Sequence, residues 1–285
     1  MKKLSGRYSV ILMLAVSIPP LCLTPRAGGN MVLTMLGVLS SILPEAVILL
    51  IFVNIYKHKD IKNKIVIRTR SLAAVWFLGV QSVFTVCKYV LISENYSGHF
   101  IGRGVTAGLM ILSSLYIASL SINASARTAM AVMMISAAVY IMMIISALKN
   151  ADMTNLHIAA DDPAGDIAGG FIAGGSLSEA SSLYILALGK KADLNARDIL
   201  KYLTVKAMII IIIFTSVIII VGENASSAML PVFEIAAYSK GHIAERYDSI
   251  FMMILTLLCI MKTGTEFSAV KLSIRELTDE TGDYN

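Results

Sequence analysis

Charge is scarce in this chain. Only 15% of its residues are charged, against 56% hydrophobic, and the mean hydropathy is +0.75. A soluble domain carries about 25% charged residues, so this balance excludes one. Cysteine is nearly absent as well. Cys22, Cys87 and Cys259 all fall in apolar stretches, with no CxxC and no Cys/His spacing. That pattern excludes a disulfide framework and a cysteine metal site, and a free Cys in such a run behaves as a small hydrophobe. No Walker loop, no His/Asp/Ser grouping and no metal motif occurs, so neither an enzyme nor a cofactor is expected. The net charge of +5 is explained by its distribution along the chain and calls for no nucleic-acid partner.

What remains is an all-α polytopic membrane protein, with the bilayer as solvent. Windows of about twenty apolar residues mark spans. They fall near 8–25, 32–56, 70–92, 102–122, 127–148, 167–188, 202–221 and 249–270, one integral-membrane domain over 1–275 with a tail at 276–285. Met1 to Arg7 is basic, but Pro19-Pro20-Leu21-Cys22-Leu23 offers no small-residue cleavage pattern. The first span is therefore expected to stay as a signal anchor.

Basic residues orient the spans. Of the 24 Lys and Arg, sixteen fall on one side of an eight-span alternation: Lys2, Lys3, Arg7, Lys57, Lys59, Lys62, Lys64, Arg68, Arg70, Arg127, Lys190, Lys191, Arg197, Lys201, Lys271 and Arg275. Five fall on the other: Arg26, Arg103, Lys149, Lys240 and Arg246. The positive-inside rule then makes both termini cytoplasmic. Omitting the Gly-rich sixth span would move Lys190 to Lys201 outside and spoil the asymmetry. Two outer loops stand out. Residues 149–166 carry Asp152, Asp161, Asp162 and Asp166, and 222–248 contains an amphipathic stretch from Pro231 to Tyr238, suited to a short surface helix.

Two spans are interrupted. The first contains Pro19-Pro20. The sixth reads Ala168-Gly169-Gly170-Phe171-Ile172-Ala173-Gly174-Gly175-Ser176. They occupy matching positions of two five-span halves, and such pairs point to a solute site near the midplane. On that reading Ser17, Ile18, Pro19 and Pro20 face Gly174, Gly175, Ser176 and Ser178, and half-helix ends bind the ligand's charges. The competing reading is a proline kink plus a small-residue packing helix. Ionisable residues inside spans add candidates. Glu179 follows the sixth-span break. Lys88 lies in the third span, near enough to its end to snorkel. Glu45 is expected to be a buried partner for another polar group, and Lys206 to snorkel from near the start of the seventh span.

Several segments resemble one family. Leu230-Pro231-Val232-Phe233-Glu234-Ile235-Ala236, then Ile243-Ala244-Glu245-Arg246-Tyr247-Asp248, then Lys262 in the last span, resemble the spore germination permeases. These are the membrane-embedded B subunits of nutrient germinant receptors, related to the amino acid–polyamine–organocation permeases. Ala126-Arg127-Thr128-Ala129 and Ser178-Glu179 agree with the same family. Its Trp in the eighth span is missing, where this chain reads Ile254-Leu255-Thr256-Leu257, and its usual ten spans are eight here.

The resemblance implies a truncated five-plus-five inverted-repeat fold with broken helices 1 and 6. It implies recognition of a small nutrient, such as an amino acid, in a bacterial cell membrane or spore inner membrane. A larger membrane subunit and a lipoprotein are the implied partners. Glu245 and Arg246, with Pro231 and Glu234, are expected to be structural, holding the outer helix over the site. The alternatives are a secondary amino-acid transporter driven by a cation or proton gradient, or a non-binding structural paralogue.

The topology has a direct test. Cysteines introduced at Lys59 and Arg197 should react with impermeant reagents only after permeabilisation. Cysteines at Asp161 and Ser239 should react from outside. Outside labelling at 59 or 197 removes the eight-span arrangement.

Overall fold

The computed structural model describes residues 4–22, 30–58, 64–97, 102–157, 161–188, 194–222, 225, 228, 230–239 and 247–282. These residues form helices: α1 (Gly6–Cys22), α2 (Met31–Ser40), α3 (Ile42–His58), α4 (Lys64–Ser97), α5 (Arg103–Ser119), α6 (Ile122–Ala147), α7 (Pro163–Leu188), α8 (Ala196–Val221), α9 (Pro231–Tyr238) and α10 (Tyr247–Gly282). No β-strand occurs among the described residues. Five stretches are long and apolar enough to cross a membrane: Met31–Asn54, Val66–Asn95, Ile122–Asn150, Ala196–Val221 and Tyr247–Thr278. α1 and α5 are apolar but shorter.

Local chemistry sets several boundaries. Asn30 caps α2, its Oδ1 accepting from the amides of Val32 at 2.9 Å and Leu33 at 3.3 Å, groups with no intrahelical partner. Asn195 and Asp198 form a reciprocal capping box at the start of α8, which begins six residues before the expected 202. Pro44 has no N–H for the carbonyl of Ser40, and the expected single span 32–56 is parted there into α2 and α3 at Ser41.

The two interruptions do not break their helices. α1 stays helical through Pro19 and Pro20 to Cys22. The prolines lack the N–H groups that would bond the carbonyls of Ala15 and Val16. Packing holds the segment instead, since Val16, Ser17, Pro19 and Leu21 are all buried. α7 runs unbroken through Gly169 to Gly175. Its glycines serve close approach. A Cβ on Gly170 would lie 2.2 Å from the Thr34 carbonyl oxygen, and one on Gly174 2.2 Å from Ser41 Oγ. Reciprocally, a Cβ on Gly37 would lie 2.2 Å from the Ile167 carbonyl oxygen. α2 and α7 thus pack backbone to backbone along a small-residue seam. They run parallel, because Asn30 bonds Asp166 and the Thr34–Gly170 and Ser41–Gly174 approaches follow in the same direction.

α4 and α10 pair antiparallel. Tyr89 meets Thr256, Thr85 meets Lys262, Ser82 meets Glu266, and Arg70 and Ser71 meet Glu276. α1 packs against α6, α7, α8 and α10.

Two apolar layers fill the bundle. One holds Leu12, Val16, Leu49, Leu78, Tyr184, Ile199 and Leu272. The other holds Cys22, Val38, Val86, Met110, Met143, Ile210 and Phe251. The chain positions between them are polar on helix after helix, as described below. α9 lies on the second layer, burying Pro231, Val232, Ile235 and Ala236.

Gly170→Ala should therefore lower the thermal unfolding midpoint in detergent, since over-packing against backbone costs about 1–3 kcal/mol. Gly169→Ala, whose Cβ meets nothing within 4 Å, should be neutral or slightly stabilising. Equal midpoints for the two variants would contradict the α2–α7 spacing.

Candidate functional site

A polar stratum separates the two apolar layers. It contains Ser17 of α1, Glu45 of α3, Ser82 and Thr85 of α4, Ser114 of α5, Ser181 of α7, Lys206 of α8, and Lys262 and Glu266 of α10, all buried. Lys206 lies about 15 Å along α8 from Ala196 at 1.5 Å per residue. Glu45 and Lys262 are likewise near the centres of their apolar stretches, Met31–Asn54 and Tyr247–Thr278. Polar groups there survive only when paired or facing a cavity.

The first cluster centres on Glu45, placed on the first turn of α3. Lys206 Nζ donates to its Oε2 at 2.7 Å, and the Lys206 and Glu45 side chains are 5% and 0% exposed. Ser181 Oγ and the Tyr202 hydroxyl donate to Oε1 at 2.6 and 2.8 Å. Tyr202 and Lys206 share a face of α8, one turn apart. The Tyr202 hydroxyl also interacts with Ser17. Elements α3, α7 and α8 thus meet at one carboxylate, and α1 joins them through the Tyr202 hydroxyl.

The second cluster joins α10 to α4. Lys262 Nζ donates to Glu266 Oε1 at 2.5 Å and to Thr85 Oγ1 at 2.8 Å. Ser82 Oγ donates to Glu266 Oε2 at 2.8 Å. Both charged side chains are fully buried, and their i,i+4 spacing puts them on one face. Ser114 Oγ reaches the Ile260 carbonyl at 3.4 Å and ties α5 to the same level.

Not every buried polar atom is satisfied. Among the described residues, the hydroxyls of Tyr184, Thr263, Thr265 and Ser273 have no hydrogen-bond partner. Tyr184 follows Ser181 by one turn, and Thr263 and Thr265 lie between the two members of the second ion pair in sequence. A buried unsatisfied polar group costs about 1–3 kcal/mol, so such groups mark places where water or a solute can be held.

The residues singled out in the sequence are distributed unevenly. Ser17 lies in the first cluster, its hydroxyl also donating to the Leu14 carbonyl at 3.3 Å. Ile18 lines an apolar cavity instead. Pro19 is buried and Pro20 partly so. Gly174 packs on α2, whereas a Cβ on Gly175 would meet nothing within 4 Å. The side chains of Ser176, Ser178 and Glu179, and all of Glu245 and Arg246, lie outside the described residues. Lys88 sits half-buried over the Phe84 ring, 4.7 Å from its centroid, a cation–π contact. Glu234 lines an open recess with Lys149 and Tyr238.

Lys206 requires correction. It does not snorkel, because the capping box starts α8 early and places the ammonium at mid-helix beside Glu45. Sequence reading missed Glu266 and did not pair it with Lys262. The available signal was their i,i+4 spacing within an apolar run. No protein-family model and no curated protein matches the chain.

Lys206→Met should destabilise by about 3 kcal/mol or more, because it leaves a buried carboxylate without its cation. Adding Glu45→Leu to it should recover much of the loss, since an apolar pair has no charge to desolvate. The check is detergent unfolding of both variants. A single variant as stable as the parent would mean that Lys206 is not paired in the bundle.

Proposed function

We propose that this chain is an eight-span membrane subunit of a nutrient germinant receptor, of permease type, that recognises a small nutrient at its midplane polar stratum. The observation that carries the reading is the cluster of Ser17, Glu45, Ser181, Tyr202 and Lys206. It offers an ammonium, a carboxylate and several hydroxyls within one dry level of the bundle. An amino acid carries the complementary pair of charges. Its carboxylate competes for Lys206 and its ammonium for Glu45. Signalling requires unequal affinity for two arrangements of the helices, and exchange of this ion pair for ligand charges supplies such a difference.

Helix directions support the eight-span count. In an alternating chain the second and sixth spans run parallel, and the third and eighth antiparallel. α2 with α7, and α4 with α10, have those relations. Residues assigned outside also meet one another. Asn30 Nδ2 donates to the His157 carbonyl, and Asn150 Nδ2 to that of Tyr238. The basic-residue asymmetry supports placing both termini in the cytoplasm. The larger membrane subunit and lipoprotein of such receptors are the partners.

The Lys262–Glu266 pair favours a second reading, a transporter driven by a proton or cation gradient, because buried carboxylates mark ion pathways in membrane proteins. Gradient-driven uptake of a labelled amino acid into vesicles would select it over the receptor.

The receptor reading is tested with Tyr202→Phe, which keeps the ring and removes one hydroxyl bonded to a charged group. Such a bond is worth about 1.5–3 kcal/mol, so the nutrient concentration for half-maximal germination should move about tenfold or more at unchanged protein level. An unshifted curve would take the Glu45 cluster out of ligand recognition.

A further inference from the structure

A crevice of about 220 Å³ opens between α6 and α8, with α1 and α10 as its floor. Its mouth is formed by Ala137, Ile141 and Ile212, all exposed. Its deep lining includes Cys22 of α1, Phe251 of α10 and Met143 of α6, all buried. Ile212 is nine residues from the Val221 end of α8, about 14 Å along the helix. The mouth therefore faces the bilayer's hydrocarbon core, which is about 30 Å thick.

The crevice has little to offer water. Its two side-chain hydroxyls are already engaged. Tyr140 bonds Ser216 at 2.5 Å, and Ser136 donates to the Val132 carbonyl at 2.7 Å. Apolar cavities of about 150 Å³ stay dry and bind hydrocarbons such as benzene, and this one is larger. Left unfilled, its lining would forfeit dispersion contacts. Only the fatty chains of lipids are abundant at that depth, and a headgroup cannot follow them there.

We propose that the crevice is a binding site for one phospholipid acyl chain, which enters sideways between α6 and α8 and ends against Ile18 and Cys22 of α1. The site is separate from the solute cluster and holds whether or not that cluster binds a nutrient.

The protein in lipid nanodiscs provides the test. Trp76 is the sole tryptophan and is 70% exposed, so it reports ordinary lipid contact. In a Trp76→Phe background, Phe251→Trp should be quenched by phosphatidylcholine brominated at mid-chain about as strongly as Trp76 itself, although Phe251 is only 5% exposed. Tyr184→Trp, at a position 1% exposed in the other apolar layer, should be protected. Equal protection of both introduced tryptophans overturns the proposal. A second arm uses the unmodified protein with a phospholipid carrying a mid-chain diazirine. Adducts on Met143 and Phe251 are expected, and they should disappear in Ala137→Phe, which narrows the mouth. Adducts confined to exposed positions such as Trp76 and Ile172 also overturn it.

Discussion

Four charged side chains in the middle of a membrane protein set the terms for the rest of this fold. An ionised group at the bilayer centre costs about 3 kcal/mol on insertion scales. Four unpaired would consume most of the roughly 5–15 kcal/mol that keeps a domain folded. Glu45 with Lys206, and Lys262 with Glu266, avoid that cost by bonding each other and by recruiting Ser181, Tyr202, Thr85 and Ser82. Each of these partners sits on a different helix from the carboxylate or ammonium it serves. The helices must therefore meet in one register for the charges to be tolerated.

The apolar parts of the bundle enforce that register. The Gly170–Gly174 seam lets α7 approach α2 at backbone distance, which fixes where Ser181 stands relative to α3. Pro44 parts α2 from α3 and puts Glu45 on the first turn of the new helix. The capping box at Asn195 starts α8 early enough to bring Lys206 level with Glu45. Apolar layers above and below then exclude water, which strengthens each remaining electrostatic contact. The same exclusion leaves the hydroxyls of Tyr184, Thr263 and Thr265 without partners among the described residues. Thr263 and Thr265 adjoin the charged level, whereas Tyr184 lies in the apolar layer beside it.

The helical membrane class was legible from composition alone, because 15% charge leaves few other solutions. The Pro19-Pro20 and Gly169–Gly175 interruptions were legible as special, but not their meaning. A glycine run marks either an unwound segment or a close helix contact, and only the neighbouring α2 decides between them. Ser17 was singled out through its place before the prolines, and the fold sets it beside Tyr202 in the Glu45 cluster. The Glu45–Lys206 pair was not, since 161 residues separate its members and hydropathy windows blur where α8 begins. Lys262 drew notice only through a family likeness, while Glu266 four residues on was passed over. Pairings remote in sequence leave no local trace, so mid-span charges are visible one by one but their partners are not.

The central claim is that lysine ammonium groups lie against glutamate carboxylates inside the bilayer. Solid-state NMR can measure this in lipid bilayers, by dipolar dephasing between ¹⁵N-labelled lysine Nζ and ¹³C-labelled glutamate carboxylates. The structure places Nζ at 2.7 Å and 2.5 Å from a carboxylate oxygen in the two pairs. Strong dephasing is therefore expected, reduced by Lys206→Met and separately by Lys262→Met. Absence of dephasing in the parent protein would mean that the lysines reach water instead, and would contradict the midplane polar stratum.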